Sequence, residues 1–179
     1  MDNVQILFTL RNVNSFLGVI PSDILSNSIA RSGTVIINAD PHTEKGSHWL
    51  AIHFEPKASS AYYFDSYGIS PLVPTLHAFL RRNCTVWVYN TVQLQGMTST
   101  VCGQYCCLFA LYIDRCYTPK QFVGLFNADI ADRQITKVFS TEFGPLQKKL
   151  RGGQCSHGIY KRKVIMLNLS FLILTLIEI

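Results

Sequence analysis

Along the first half of the chain, apolar and polar positions change with the short period of strands; in the second half the apolar runs lengthen to helical spacing. Val4 to Leu10 is amphipathic and leads into Phe16-Leu17-Gly18-Val19-Ile20-Pro21, which reads as a turn. Ser22-Asp23 offers an N-cap to a short helix over Ile24 to Ala30. Thr34 to Asn38 is β-branched and apolar and predicts a buried strand, followed after a polar loop by a second strand over His48 to Phe54. Pro56 to Ser60 turns the chain into a third, Ala61 to Asp65. Pro71 to Arg82 suits a surface helix with Leu76, Phe79 and Leu80 inward, and Thr85 to Tyr89 a further strand. Cys106 to Tyr112 is apolar on every face, the pattern of a helix buried inside a domain. Thr118-Pro119 caps another helix, and Asp129 can cap one more running to about Phe143.

These elements predict an α+β domain, with a mixed or antiparallel sheet packed on a central buried helix. Composition agrees: 48% of the 179 residues are hydrophobic and 15% are charged, below the usual quarter or so, which excludes a disordered chain. The formal charge of +5 is unevenly spread. Residues 1–150 carry 12 basic and 10 acidic side chains, and the remainder adds Arg151, Lys161, Arg162 and Lys163 against Glu178. The chain therefore divides into a near-neutral domain, 1–150, and a basic, then hydrophobic, tail, 151–179. Twelve of the last 16 residues are apolar, slightly short of the roughly 17 to 25 that a spanning helix needs. The tail reads as a hydrophobic appendage rather than a membrane anchor.

Met1 to Gln5 lacks the basic start and small-residue cleavage site of a secretory signal. The expectation is an intracellular protein, in cytoplasm or nucleus, whose six cysteines are reduced thiols. No CxxC pair occurs, so neither a metal site nor another cofactor is expected.

Three residues at element ends carry the candidate chemistry. His48 opens a strand, Asp65 closes the next, and Cys102 precedes Gly103 at the start of the buried helix. Antiparallel pairing would bring His48 to Asp65, with the carboxylate on one ring nitrogen and a thiol facing the other. A helix N-terminus and an imidazolium both favour the thiolate, which makes Cys102 an activated nucleophile. Backbone amides at Cys102 and Gly103 supply half of an oxyanion hole, and the Gln95 side chain is the candidate for the rest. Each residue alone also has a plain reading as a rim histidine, a turn cap, a buried thiol or a loop amide.

Gly46-Ser47-His48-Trp49-Leu50-Ala51, Tyr63-Phe64-Asp65-Ser66-Tyr67-Gly68, Gln95-Gly96 and Val101-Cys102-Gly103-Gln104-Tyr105-Cys106-Cys107 together resemble the adenovirus protease (adenain) family. That family lies within the clan of ubiquitin-like-protein-processing cysteine proteases, and similar proteases occur in transposons of the Maverick/Polinton type. The resemblance covers about residues 16–127, with the family's spacing from His48 to Asp65 and from Gln95 to Cys102. It implies a cysteine endopeptidase with His48 as general base, Asp65 as its orienter, Cys102 as nucleophile and Gln95 as oxyanion donor. Two departures stand out. The adenoviral enzymes carry glutamate where this chain has Asp65, and the stretch from Asp65 to Gln95 is shorter here.

Leu150-Arg151-Gly152-Gly153-Gln154 resembles the Gly-Gly cleavage pattern of the same family, which raises self-cleavage between Gly153 and Gln154. The resemblance also raises activation by a basic, cysteine-bearing peptide or by DNA. The domain's own basic pairs, Arg81-Arg82 and Lys148-Lys149, do not make a nucleic-acid patch. A deconjugase of ubiquitin-like proteins and an inactive transposon-derived binding module are the alternative functions.

Overall fold

The sheet follows from a run of β-branched and apolar residues that must be covered on both faces. The computed structural model describes residues 1–25, 28–44 and 46–152, the last eight by backbone alone. Two compact units, Met1–Gly144 and Pro145–Ile179, divide the chain, and every element that builds the site starts in the first. Helix α1 (Asn3–Thr9) is started by Asp2, whose carboxylate accepts from the Gln5 amide while the Gln5 side chain accepts from the Asp2 amide. Strands β1 (Phe16–Pro21), β2 (Gly33–Asn38), β3 (Trp49–Glu55), β4 (Ser60–Phe64) and β5 (Val86–Tyr89) lie side by side in chain order. The two inner joins, β2 with β3 and β3 with β4, are antiparallel; the two outer ones are parallel.

All six residues of β2 are buried, because helices cover both sides of the sheet. Leu50, Ile52 and Phe54 of β3 pack with Leu76, Phe79 and Leu80 of α2 (Pro74–Asn83) on one face. On the other lies α3 (Cys102–Asp114). There Phe64 stacks on Phe109 with centroids 4.8 Å apart, and Phe122 of α4 (Pro119–Val123) meets both edge-on. Phe64, Phe109 and Phe122 are fully buried, each worth about 1.5–3 kcal/mol of transfer free energy. Helix α5 (Ala131–Gly152) follows a 3₁₀ turn.

Three sequence expectations are corrected. Phe16 to Pro21 is a strand rather than a turn, pairing in parallel with β2. The described residues between Ile24 and Ala30 are not helical. Asp23, expected to cap them, instead accepts from the His42 amide at 2.9 Å and pairs with its ring at 2.6 Å. The turn before α5 is capped by the Asn127 side chain, which accepts from the Asp129 amide, so Asp129 is not the cap.

Candidate active site

The register of β3 and β4 decides what sits at their ends. Ala51 pairs with Phe64, and the same register carried past the strand ends sets His48 opposite Tyr67 with Asp65 diagonal to it. A turn then bends the chain at Asp65, closed by the Gly68 amide on the Asp65 carbonyl at 2.8 Å. Gly68 has φ +69°, and a Cβ there would lie 2.7 Å from the Val92 backbone, so only glycine fits. Asn90, just past β5, clamps Asp65 from behind. Its Oδ1 accepts from the Asp65 amide (3.0 Å) and its Nδ2 donates to the Asp65 carbonyl (2.6 Å). The carboxylate is thereby aimed forward, and its Oδ1 accepts from His48 Nε2 at 2.8 Å and from the Tyr67 amide at 2.9 Å.

That bond fixes the imidazole's tautomer, with the proton on Nε2. Nδ1 is buried and has no conventional hydrogen-bond partner, which is unusual for a buried polar atom. It is the ring nitrogen left for the Cys102 thiol, and both groups register the contact. Burial pulls His48 down, but Asp65 and the sulfur outweigh it and push the imidazole up to about 9. Burial pushes the Cys102 thiol up, but His48 and the backbone amides of Trp49 and Gly103 outweigh it, so its pKa lies below that of an ordinary thiol. The two shifts together favour a thiolate–imidazolium pair at neutral pH. Other cysteines go the opposite way: burial pushes Cys84, Cys106 and Cys107 up. Cys102 also opens α3, where first-turn amides have no carbonyl of their own helix to bond. Trp49 closes over this start so tightly that a Cβ on Gly103 would lie 3.3 Å from its ring.

Gln95 is 1% exposed and fully committed. Its Oε1 accepts from Ser66 Oγ (2.6 Å), and its Nε2 donates to the Ser99 carbonyl (2.7 Å) and to Tyr67 Oη (3.2 Å). Both amide hydrogens are bonded within the protein in this structure. Its loop is tied to α5 as well: Asp132 accepts from the Gly96 amide at 3.0 Å and from Tyr105 Oη at 3.1 Å.

His48, Asp65 and Cys102 are therefore brought together, and Gln95 is joined to them through Tyr67. Sequence reasoning gave no role to Tyr67, Asn90 or Asp132. Tyr67 had a signal in the hairpin register. Asn90 and Asp132 are linked to the site only by the tertiary fold. Gly153 and Gln154, the expected self-cleavage site, and the hydrophobic tail lie outside the described residues. Among the described residues no cluster of three or more His, Cys, Asp or Glu side chains could hold a metal ion. No helix among them is long and apolar enough to cross a membrane. A cavity of about 560 Å³ lined by His53, Glu55, Asp114 and Cys116 shares no residue with the His48 site.

The fold comes first. The solved ASFV pS273R protease matches 77% of this chain and 65% of its own length with a TM-score of 0.57 at 18% identity, so the two share a fold. Sequence then gives the family. The adenovirus endoprotease family model matches residues 16–139, and the chain belongs to that family. The protease of bovine adenovirus 2 is 34% identical over 86 residues, covering 41% of this chain and 42% of that protein. The protease of porcine adenovirus A serotype 3 is 29% identical over 126 residues, covering 58% and 62%. The matched stretches thus span about half of these relatives' length.

Proposed function

We propose that this chain is a cysteine endopeptidase acting through an acyl-enzyme, with Cys102 as nucleophile, His48 as general base and acid, and Asp65 as orienter. The Cys102 thiolate attacks the scissile carbonyl carbon. The oxyanion is met by backbone amides at Cys102 and Gly103, and collapse expels the amine, which takes the proton from His48. Water, deprotonated by His48, then cleaves the thioester and releases the carboxylic acid and the thiolate. One observation carries the reading: a mostly buried imidazole bonded to a buried carboxylate through Nε2, with a lowered-pKa thiol as the company of its other nitrogen.

The finer parts of the proposal concern substrate and context. Proteins or peptides cut beside glycine are the substrates, and Leu150-Arg151-Gly152-Gly153-Gln154 is a candidate site in the chain itself. The working division is a protease domain over 1–150 and a tail over 151–179. An activating peptide or DNA is a further candidate partner, and an intracellular setting suits the five free cysteines among the described residues. The test compares wild type with Cys102→Ala and His48→Ala on a fluorogenic Leu-Arg-Gly-Gly peptide, with intact mass for self-cleavage and a Gly-Gly-ended ubiquitin probe alongside. Cleavage lost in both variants supports the peptidase. Reaction with the probe but not the peptide would move the assignment to a deconjugase, and cleavage that survives Cys102→Ala would end it.

A further inference from the structure

The loop that carries Gln95 is held on two sides, by different halves of the site. On one side it is tied to the hairpin that bears Asp65. The Leu94 and Gln95 amides both donate to the Ser66 carbonyl at 2.9 Å, and Ser66 Oγ donates to Gln95 Oε1. On the other side it is tied to α3 and α5. Tyr105, fully buried and about one turn along the helix that Cys102 opens, directs its hydroxyl at the Leu94 carbonyl (3.2 Å) and at Asp132 Oδ1 (3.1 Å). Asp132, in the first turn of α5, accepts from the Gly96 amide on its other oxygen at 3.0 Å. A Cβ on Gly96 would lie 3.1 Å from that oxygen, so the close approach suits glycine. The residues on either side of Gln95 are thus fixed relative to the helix of the nucleophile, Leu94 through Tyr105 and Gly96 through the Asp132 bridge.

We infer that Asp132 is a positioning residue for the peptidase reaction: it sets the Gln95 loop against α3 and so places the Gln95 amide for the oxyanion formed at Cys102. The inference rests on the cysteine-peptidase reading above, with Gln95 as the side-chain oxyanion donor, and adds the residue that aims that donor. The loop's internal bonds transmit the tie. Gln95 Nε2 donates to the Ser99 carbonyl at 2.7 Å, and the Ser99 amide donates to the Gly96 carbonyl at 3.0 Å, so the turn moves with Gly96. Burial pushes the Tyr105 phenol's pKa up and Asp132 pushes it further, which keeps Tyr105 a donor. Placement matters because an oxyanion donor works only within hydrogen-bond reach of the developing charge.

Two small electrophiles separate positioning from folding. Iodoacetamide is attacked by the Cys102 thiolate at its methylene carbon with loss of iodide and develops no oxyanion. p-Nitrophenyl acetate is attacked at its carbonyl carbon, passes through an oxyanion, and collapses to S-acetylated Cys102 with release of p-nitrophenolate. Both reactions are followed on the full chain, with the modified residue assigned by mass. Gln95→Ala sets the scale: acetylation is expected to slow about 100-fold, the worth of one oxyanion donor, with alkylation as in wild type. Asp132→Ala is expected to slow acetylation at least about 10-fold, because the donor is displaced rather than removed, and to spare alkylation. Asp132→Asn should restore acetylation to near the wild-type rate. Its Oδ1 still accepts from Gly96, and its Nδ2 donates to Tyr105 Oη, whose hydrogen goes to the Leu94 carbonyl. Adding Gln95→Ala to Asp132→Ala should give the Gln95→Ala rate, because Asp132 acts through that side chain. Acetylation by Asp132→Ala at the wild-type rate overturns the inference. So does alkylation that falls as far as acetylation, the mark of a purely structural role, and so does a double variant slower than Gln95→Ala by the full Asp132→Ala factor. Asp132→Asn as slow as Asp132→Ala overturns it too, since charge and not the tie would then matter. Gln95→Ala at the wild-type rate defeats instead the donor role beneath the inference. Alkylation of Cys102 that ignores His48→Ala defeats the thiolate–imidazolium reading, whatever Asp132 does.

Discussion

Two histidine–carboxylate pairs lie at opposite ends of the same strand, and only one of them is arranged for chemistry. At the start of β3, His48 Nε2 meets Asp65 at 2.8 Å; near its end, His53 Nε2 meets Glu55 at 2.9 Å. Both imidazoles are mostly buried. The difference is in what remains. His53 Nδ1 is satisfied by Thr34 Oγ1 at 3.0 Å, and its carboxylate partner is half exposed and shared with Ser32. His48 Nδ1 has no conventional partner, its carboxylate is buried and clamped, and a thiol stands beside it at a helix start. A His–carboxylate pair is thus common structural furniture. The open nitrogen and the neighbouring thiol set the His48 pair apart.

Breaking the two pairs in parallel is the strongest test. His48→Ala should lower kcat/KM for peptide cleavage by about 10²–10⁴-fold, the worth of a positioned acid–base group, while His53→Ala leaves it unchanged. Asp65→Asn should follow at about 10²-fold, because the imidazole remains but loses its orienter; Glu55→Gln should have no effect. If the His53 pair matters as much as the His48 pair, the contrast is wrong.

The pH profile sharpens the comparison. Under the proposed mechanism, activity needs a deprotonated Cys102 and a protonated His48. The rate should therefore rise through an acid limb below the ordinary thiol range and fall as pH passes through about 9, where His48 loses its proton. In Asp65→Asn the carboxylate no longer supports the imidazolium, so the alkaline limb should move to lower pH. A limb that stays in place would separate His48 from Asp65.

Removing the supports gives the smallest effects, read by denaturant unfolding. Asn90→Ala strands the buried Asp65 amide and should cost about 1–3 kcal/mol, with a loss of activity as the carboxylate shifts. Thr34→Val leaves His53 Nδ1 unpartnered and should cost about 1 kcal/mol, with activity intact.

The comparison also marks what could be read in advance. His48, Asp65 and Cys102 were legible because reactive groups sit at the ends of elements whose apolar patterns are clear, and α2 showed its inward face in Leu76, Phe79 and Leu80. The strand at Phe16–Pro21 was not, since glycine and a terminal proline make a poor strand signal; parallel pairing with β2 overrides them. Gln95 was legible as a residue of the site, but its commitments were not. Its role turns on Ser66, Tyr67 and Ser99, whose side chains and carbonyls meet only when the loop folds back on the hairpin.

The sequence by itself determined the α+β class and the family, and singled out Cys102, His48 and Asp65 as the candidate thiol, imidazole and carboxylate, because periodicity and motif spacing are properties of the chain. The tertiary structure alone decided which thiol has a lowered pKa, that Asn90 and Asp132 hold the site from distant elements, and that Tyr67 stands between His48 and Gln95. The reason is physical. A pKa or a clamp depends on burial and on which groups meet in space, and those are fixed only once the chain has packed.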